Sequence, residues 1–391
     1  MTNPKPVAKP KNLRIPLLIS ILILILALAP LPATAIIYNQ TFGRRAESPA
    51  YRVFLRYDDV SGYPRRMVTF PSGANNLTGY IYGEDNNKGL VVVAHSFGDG
   101  AEGYFNIIMD FVDRGWRVFT YDKTGSHNSE GRGTRGLPQS ALDLDSALNF
   151  ITAQEWGLPI MLLGHSWGGF AVTAVLDFGH DIRAVVSLAG YNRPIQVLRD
   201  TAITQFGWAG NLAYPYLWAY QRLLFGRNAS LSAVDGINNS GIPVMIIHGI
   251  ADRLILYNSA GIIAYRDSIT NPYVVFVTHD LPHHNGHMNL LMTKEASAYI
   301  QALDQAFMDL LRQYIPAQQD GACPFITVSL HHVHMLSNRN ITRCFCSRIY
   351  DAHIPDDVLS DFYAGIDRHL TSELEPSLMD EINVFFVRAL D

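Results

Sequence analysis

Two decapeptides in this chain end an apolar run on the same residue types. Residues 91–100 read VVVAHSFGDG and residues 161–170 read MLLGHSWGGF. Each sets a serine between a histidine and an aromatic residue. A serine hydroxyl becomes a nucleophile near neutral pH only when a base takes its proton and a carboxylate orients that base. Candidate bases crowd into HDLPHHNGHMN (279–289), which offers His279, His283, His284 and His287. A candidate carboxylate, Asp252, closes HGIAD (248–252). Four neighbouring histidines can also bind metal, but zinc sites show tighter, regular spacing with a carboxylate or cysteine. The expected chemistry is therefore nucleophilic attack assisted by acid and base, with no metal and no organic cofactor.

The two serines differ in context. Gly164-His165-Ser166-Trp167-Gly168 fits G-x-S-x-G. A β-rich run precedes it and a helical pattern follows, the setting in which a tight turn lifts the nucleophile above a sheet. Gly164, Gly168 and Gly169 let the strand and helix backbones approach, and the helix N-terminus favours developing negative charge. In the upstream copy Ala94 replaces the first glycine, and GDGAEG (98–103) reads as a loop.

Eight β-rich runs must position these residues: 66–70, 78–82, 89–95, 116–122, 159–164, 182–190, 243–249 and 273–278. Helical patterns separate many of them, as at 104–115, 140–155 and 169–179. Leu144, Ala147, Leu148 and Ile151 form one apolar face. Alternation of this kind predicts an α/β fold with a doubly wound, mostly parallel sheet, whose chemistry sits beyond the strand C-termini. Residues 191–241 contain no convincing strand and many aromatics, and are expected to form a helical lid. Further on, 293–315 and 355–390 read as amphipathic helices. The stretch 317–353 holds all three cysteines (Cys323, Cys344, Cys346) and HHVH at 331–334; it matches no zinc spacing and is expected to be a surface insertion.

The fourth run leads into YDKTGSHNSEG (121–131), and at this point the motifs together resemble the α/β-hydrolase superfamily over about 66–310. By motif the chain is similar to bacterial hydrolases grouped with monoacylglycerol lipases and serine aminopeptidases. The resemblance implies a triad in the order Ser166, Asp252, His287: HGIAD resembles the family's His-Gly-x-x-Asp turn, and its Gly-His pattern selects Gly286-His287, with His284 as the fallback. It also implies that the loop after the third strand completes an oxyanion hole, so the amides of Phe97 and Trp167 take that role. Ser96 stands where the family usually has glycine. Asp122 and Ser129 are implied to be structural. His95, His165 and His248 read as packing residues beside strand ends.

Composition narrows the rest. The chain has 391 residues, 48% hydrophobic, and a formal charge of −5. No basic field suggests nucleic acid as a partner. Lys5, Lys9, Lys11 and Arg14 precede a run without charge that lasts until Arg44. Residues 1–14 are read as a basic cytoplasmic start and 15–38 as a signal peptide or membrane anchor, with Ala33-Thr34-Ala35 as a cleavage site in the first case. Residues 39–65 are read as a stalk and 66–391 as the hydrolase domain, which the basic start leaves outside the cytoplasm. The aromatic 191–241 segment has no Glu and only Asp200 and Asp235, which favours an apolar ester or lipid-like small molecule over a peptide. A serine peptidase or aminopeptidase of the same fold and a non-catalytic binding module are the competing readings.

Overall fold

In the computed structural model, residues 28–45, 53–314 and 354–390 are described, with 18, 20, 342–344 and 348–350. Most of the apolar N-terminal run and of the 317–353 insertion lies outside the described residues. Eight strands form one sheet: β1 (Arg65–Ser72), β2 (Asn75–Tyr82), β3 (Leu90–Ala94), β4 (Arg117–Tyr121), β5 (Ile160–His165), β6 (Ala184–Leu188), β7 (Val244–Gly249) and β8 (Val274–His279). Their spatial order is β1-β2-β4-β3-β5-β6-β7-β8. β2 runs antiparallel to β1 and β4; the pairs from β4 through β8 are parallel. β9 (Thr342–Cys344) and β10 (Arg348–Tyr350) pair separately.

The near-continuous apolar runs have a simple cause. In β3, Leu90, Val92 and Ala94 enter one core while Val91 and Val93 enter the other. β5 and β7 divide in the same way, with Leu162, Val244 and Ile246 on one face and Met161, Leu163, Met245 and Ile247 on the other. Strands buried on both faces cannot alternate apolar with polar. The first core is covered by α3 (Gln139–Ala153), α4 (Trp167–Ala174) and α7 (Ala233–Ser240), the second by α2 (Phe105–Asp113) and α11 (Pro376–Arg388). In α11, Met379, Ile382 and Phe386 are wholly buried, and Asn383 accepts a hydrogen bond from the Trp116 indole at 2.9 Å.

Two elements differ from the sequence reading. The 355–390 region forms α9 (Asp356–Ala364), α10 (Arg368–Thr371) and α11. The breaks have local causes: Asp367 caps α10 by accepting from the His369 and Leu370 amides, and Pro376 occupies the first turn of α11. The second difference concerns the stretch read as anchor and stalk. α1 (Pro30–Thr41) packs on the domain, with Tyr38 and Phe42 buried in a cluster that includes Trp167, Phe170 and Tyr191. A stalk has no reason to bury aromatic residues, whereas this segment covers the surface beside the nucleophile turn.

Between β6 and β7 the chain is helical: α5 (Pro194–Phe206), α6 (Tyr214–Phe225) and α7, joined by 3-10 turns. α8 (Lys294–Gln313) follows β8. Among the described residues no helix is long and apolar enough to cross a membrane.

Candidate active site

Ser166 sits between β5 and α4 with φ 55° and ψ −110°. A positive φ in a residue with a Cβ costs about 1–3 kcal/mol and persists only where the surroundings enforce it. Here the glycines enforce it. A Cβ on Gly164 would lie 2.3 Å from the Gly168 carbonyl oxygen, and one on Gly168 would lie 1.8 Å from the Ala94 oxygen. Strand, helix and upstream loop therefore meet at van der Waals limits that only glycine permits. Ser96 has no such backbone. Its hydroxyl donates to the Asp99 carboxylate within its own turn. The two serine motifs are thus unlike in conformation as well as in context.

Asp252 follows β7 and is buried. Three N–H groups donate to its carboxylate, and the His248 ring, whose Nε2–H donates to the Ile255 carbonyl at 2.9 Å, stands beside it. One oxygen accepts from the amides of Leu254 and Ile255, each at 2.9 Å. The other meets His287 Nδ1 at 2.7 Å and His248 Nε2 at 3.2 Å. Burial alone would raise the pKa of this carboxyl, but the His287 charge and the histidine hydrogen bonds outweigh burial and hold it well below the usual range. A carboxylate acceptor fixes the proton of His287 on Nδ1 and leaves Nε2 free as a base. His284 lies elsewhere: its ring contacts His283 at 4.1 Å and His279 at 5.6 Å.

His287 is tied to the nucleophile turn through its neighbour. His165 Nε2 contacts the His287 carbonyl at 2.8 Å, and the two rings are 4.8 Å apart. Because a carbonyl can only accept, Nε2 of His165 carries the proton and Nδ1 is the acceptor. Tyr104 OH lies 2.6 Å from that Nδ1, and its oxygen accepts from the Ser96 amide at 3.2 Å. One buried chain of hydrogen bonds thus joins the upstream loop, the residue before Ser166 and the loop of His287. Burial, with the nearby His287, pushes His165 down to about 3, so the link stays neutral at working pH.

Phe97 and Trp167 also come together. Their rings meet edge to face at 5.3 Å, and Phe42 and the Arg45 guanidinium pack on Phe97 at 5.6 and 4.6 Å. Trp167 opens α4, and its indole donates to the Leu137 carbonyl at 2.7 Å. Beneath the upstream loop lies Lys123, which is wholly buried. Its ammonium donates to the His95 carbonyl and sits 4.5 Å from the Trp167 ring. Burial lowers its pKa to about 7 against the opposing pull of Asp143 and Asp99. Asp122 accepts from the Ala101 amide and the Tyr80 hydroxyl, both at 2.9 Å, while Ser129 donates to the Asp122 carbonyl at 2.5 Å. Both residues brace the loops around the site.

Tyr104, Lys123 and Asp99 were not picked out from the sequence. Tyr104 lies inside an ordinary helical pattern and Lys123 inside a polar loop, so neither carries a local signal. An open cleft backs onto His287; Asp99, Tyr104 and His165 line it, together with apolar residues such as Leu188, Met288 and Leu291.

The sheet order, the turn at Ser166 and the crossover helices are those of the α/β-hydrolase fold, and the resemblance to that superfamily read from the sequence holds. Residues 85–225 match the family model described as serine aminopeptidase, S33. No curated protein matches the sequence. Among solved structures, an esterase of Pyrococcus furiosus is similar at 16% identity and TM-score 0.46, over 64% of this chain and 90% of that one. Est1E of Butyrivibrio proteoclasticus, with ferulic acid bound, is similar at 15% identity and TM-score 0.45, over 62% and 97%. An acylaminoacyl peptidase of Pyrococcus horikoshii is similar at 15% identity and TM-score 0.45, over 66% and 42%. None of these proteins lends the chain a substrate.

Proposed function

We propose that this protein is a serine hydrolase that cleaves carboxylic esters through an acyl-enzyme. The observation that carries the reading is the 2.7 Å contact between Asp252 and His287 Nδ1, on loops joined through His165 to the strained turn of Ser166. In this mechanism His287 Nε2 takes the Ser166 proton as the hydroxyl oxygen bonds to the carbonyl carbon. The amides of Phe97 and Trp167 hold the negative oxygen. His287 then protonates the departing alkoxide, and a water molecule, deprotonated by the same nitrogen, releases the acid. Asp252 keeps the His287 tautomer and stabilises the imidazolium.

Esters are preferred to peptides because apolar side chains such as Phe54, Ile107, Leu188, Met288 and Leu291 make up more than half of the lining of the cavity behind His287. The second reading, an aminopeptidase, is favoured by the family model and by Asp99 in the cavity wall. Initial rates on p-nitrophenyl acyl esters and on aminoacyl p-nitroanilides decide between them. Faster ester turnover by 100-fold or more, a threshold of about 3 kcal/mol, is expected; faster anilide turnover refutes the ester assignment.

The same proposal holds the domain outside the cytoplasm, anchored through the uncharged N-terminal run. Cleavage after Ala35 would cut through α1, whose Tyr38 is buried in the domain, so the anchor is read as retained. Externally added protease should reach the domain in spheroplasts, and full protection until lysis would reverse the topology.

A further inference from the structure

The β6–β7 segment exposes apolar residues that a water-facing surface does not need. Trp208 and Leu223 are 78% and 79% exposed, Leu212 and Phe206 64% and 59%, and Tyr214 and Trp218 lie one helical turn apart with 36% and 48% exposed. Scattered apolar residues on a surface are ordinary, but six large ones within eighteen positions mark an interaction surface. The charges of this segment are also unusual for the chain. Residues 191–241 carry Arg193, Arg199, Arg222 and Arg227 against Asp200 and Asp235, with no Lys or Glu, in a protein of formal charge −5. All four arginines are exposed.

The neighbouring segment identifies the occupant. α1 packs on α6: Asn39 donates to the Tyr220 hydroxyl at 2.8 Å, and the Tyr38 and Tyr220 rings are 5.2 Å apart. The outer side of α1 shows Ile36 and Ile37, 59% and 62% exposed. Immediately before α1 comes LLISILILILALA (17–29). Whatever receives that run receives the helices docked beside it. Tryptophan and tyrosine prefer the boundary between acyl chains and headgroups, and arginine beside them meets anionic lipid.

We propose that the exposed face of α5, α6 and the 3-10 turn between them docks on an anionic lipid bilayer. The proposal rests on the anchoring given above and takes it further by assigning a second, separate membrane contact. Residues 1–60 contain no tryptophan, and of the five in the chain Trp116 and Trp167 are buried. Trp156 is half-buried and lies outside this segment, so the quenching that disappears with Trp208 and Trp218 reports on this face and not on the anchor.

The full chain is reconstituted into vesicles of phosphatidylglycerol and phosphatidylcholine, with and without brominated acyl chains. Wild-type emission should fall by up to about two-fifths, the share of Trp208 and Trp218 among the five. The Trp208→Phe/Trp218→Phe variant, which keeps the apolar surface, should lose almost nothing. Pure phosphatidylcholine or high salt should reduce the quenching. Protein that floats with the vesicles but is not quenched overturns the docking and leaves the anchor standing. Protein that does not float overturns both. Equal loss in the Phe variant overturns the assignment to this face, and equal quenching in neutral vesicles overturns the choice of anionic lipid. Repeating the measurement in Ser166→Ala separates docking from any failure of the hydrolase reading.

Discussion

Asp252→Asn is the most informative single change at the site. The carboxylate accepts three N–H groups, two backbone amides on one oxygen and His287 on the other, while His248 Nε2, whose N–H donates to the Ile255 carbonyl, lies 3.2 Å from that second oxygen. Asparagine has one oxygen and one NH₂. If its oxygen faces the two amides, its NH₂ opposes both imidazoles; flipped, its NH₂ opposes both amides. The first arrangement costs less, because His287 can shift its proton to Nε2, and that tautomer has no base to offer Ser166. The expected loss is about 10³–10⁴-fold in kcat, about 4–5.5 kcal/mol of barrier, with KM nearly unchanged. Stability should fall by about 1.5–3 kcal/mol for each hydrogen bond to charge that is lost. Since the folded carboxyl lies below its ordinary range, its contribution is present in full above that range and is lost as pH falls through the folded value. The stability gap between wild type and variant should therefore narrow from pH 7 towards pH 3. Steady-state hydrolysis of a p-nitrophenyl ester, with urea melts at several pH values, measures each effect. A variant that keeps more than a tenth of wild-type kcat refutes the role given to Asp252.

Three further outcomes follow from the surroundings of the triad. Tyr104→Phe removes both the acceptor of the Ser96 amide and the donor to His165; kcat should fall roughly tenfold, about 1–1.5 kcal/mol, and unchanged kcat would remove Tyr104 from the positioning chain. Ser96→Ala loses only the bond to Asp99 and should retain at least about a tenth of wild-type activity, measured with the same ester. For Lys123 the folded pKa of about 7 lies below its unfolded value, so between these the unfolded chain holds a proton that the folded chain lacks. Wild-type stability relative to Lys123→Met should rise from pH 7 to 9.5 in thermal melts, and a flat difference would contradict the buried, readily deprotonated amine.

How far the sequence could be read depended on whether the cause was local. Strand existence was legible because residues such as 90–94 face two cores and must be apolar throughout. The turn at Ser166 was legible because close backbone approach demands Gly164 and Gly168. The C-terminal helices were merged in reading because their breaks, at Asp367 and Pro376, sit inside a continuing apolar period. Tyr104 and Lys123 escaped assignment, and His165 reads from the sequence only as a packing residue, for another reason. Their partners come from three separate loops, and nothing in the local residue pattern specifies a hydrogen bond across 61 positions, as between Tyr104 and His165. α1 was read as the end of an anchor and the start of a stalk because burial of Tyr38 depends on a surface assembled from distant segments.

The central claim, that Ser166 is the nucleophile, is tested most directly by covalent labelling. A fluorophosphonate reacts with an activated serine hydroxyl, and peptide mass spectrometry then locates the adduct. The full-length protein should take up one equivalent on the peptide containing Ser166, Ser96→Ala should label in the same place, and Ser166→Ala and Asp252→Asn should label little or not at all. An adduct on Ser96, or ester hydrolysis undiminished in Ser166→Ala, would contradict the account.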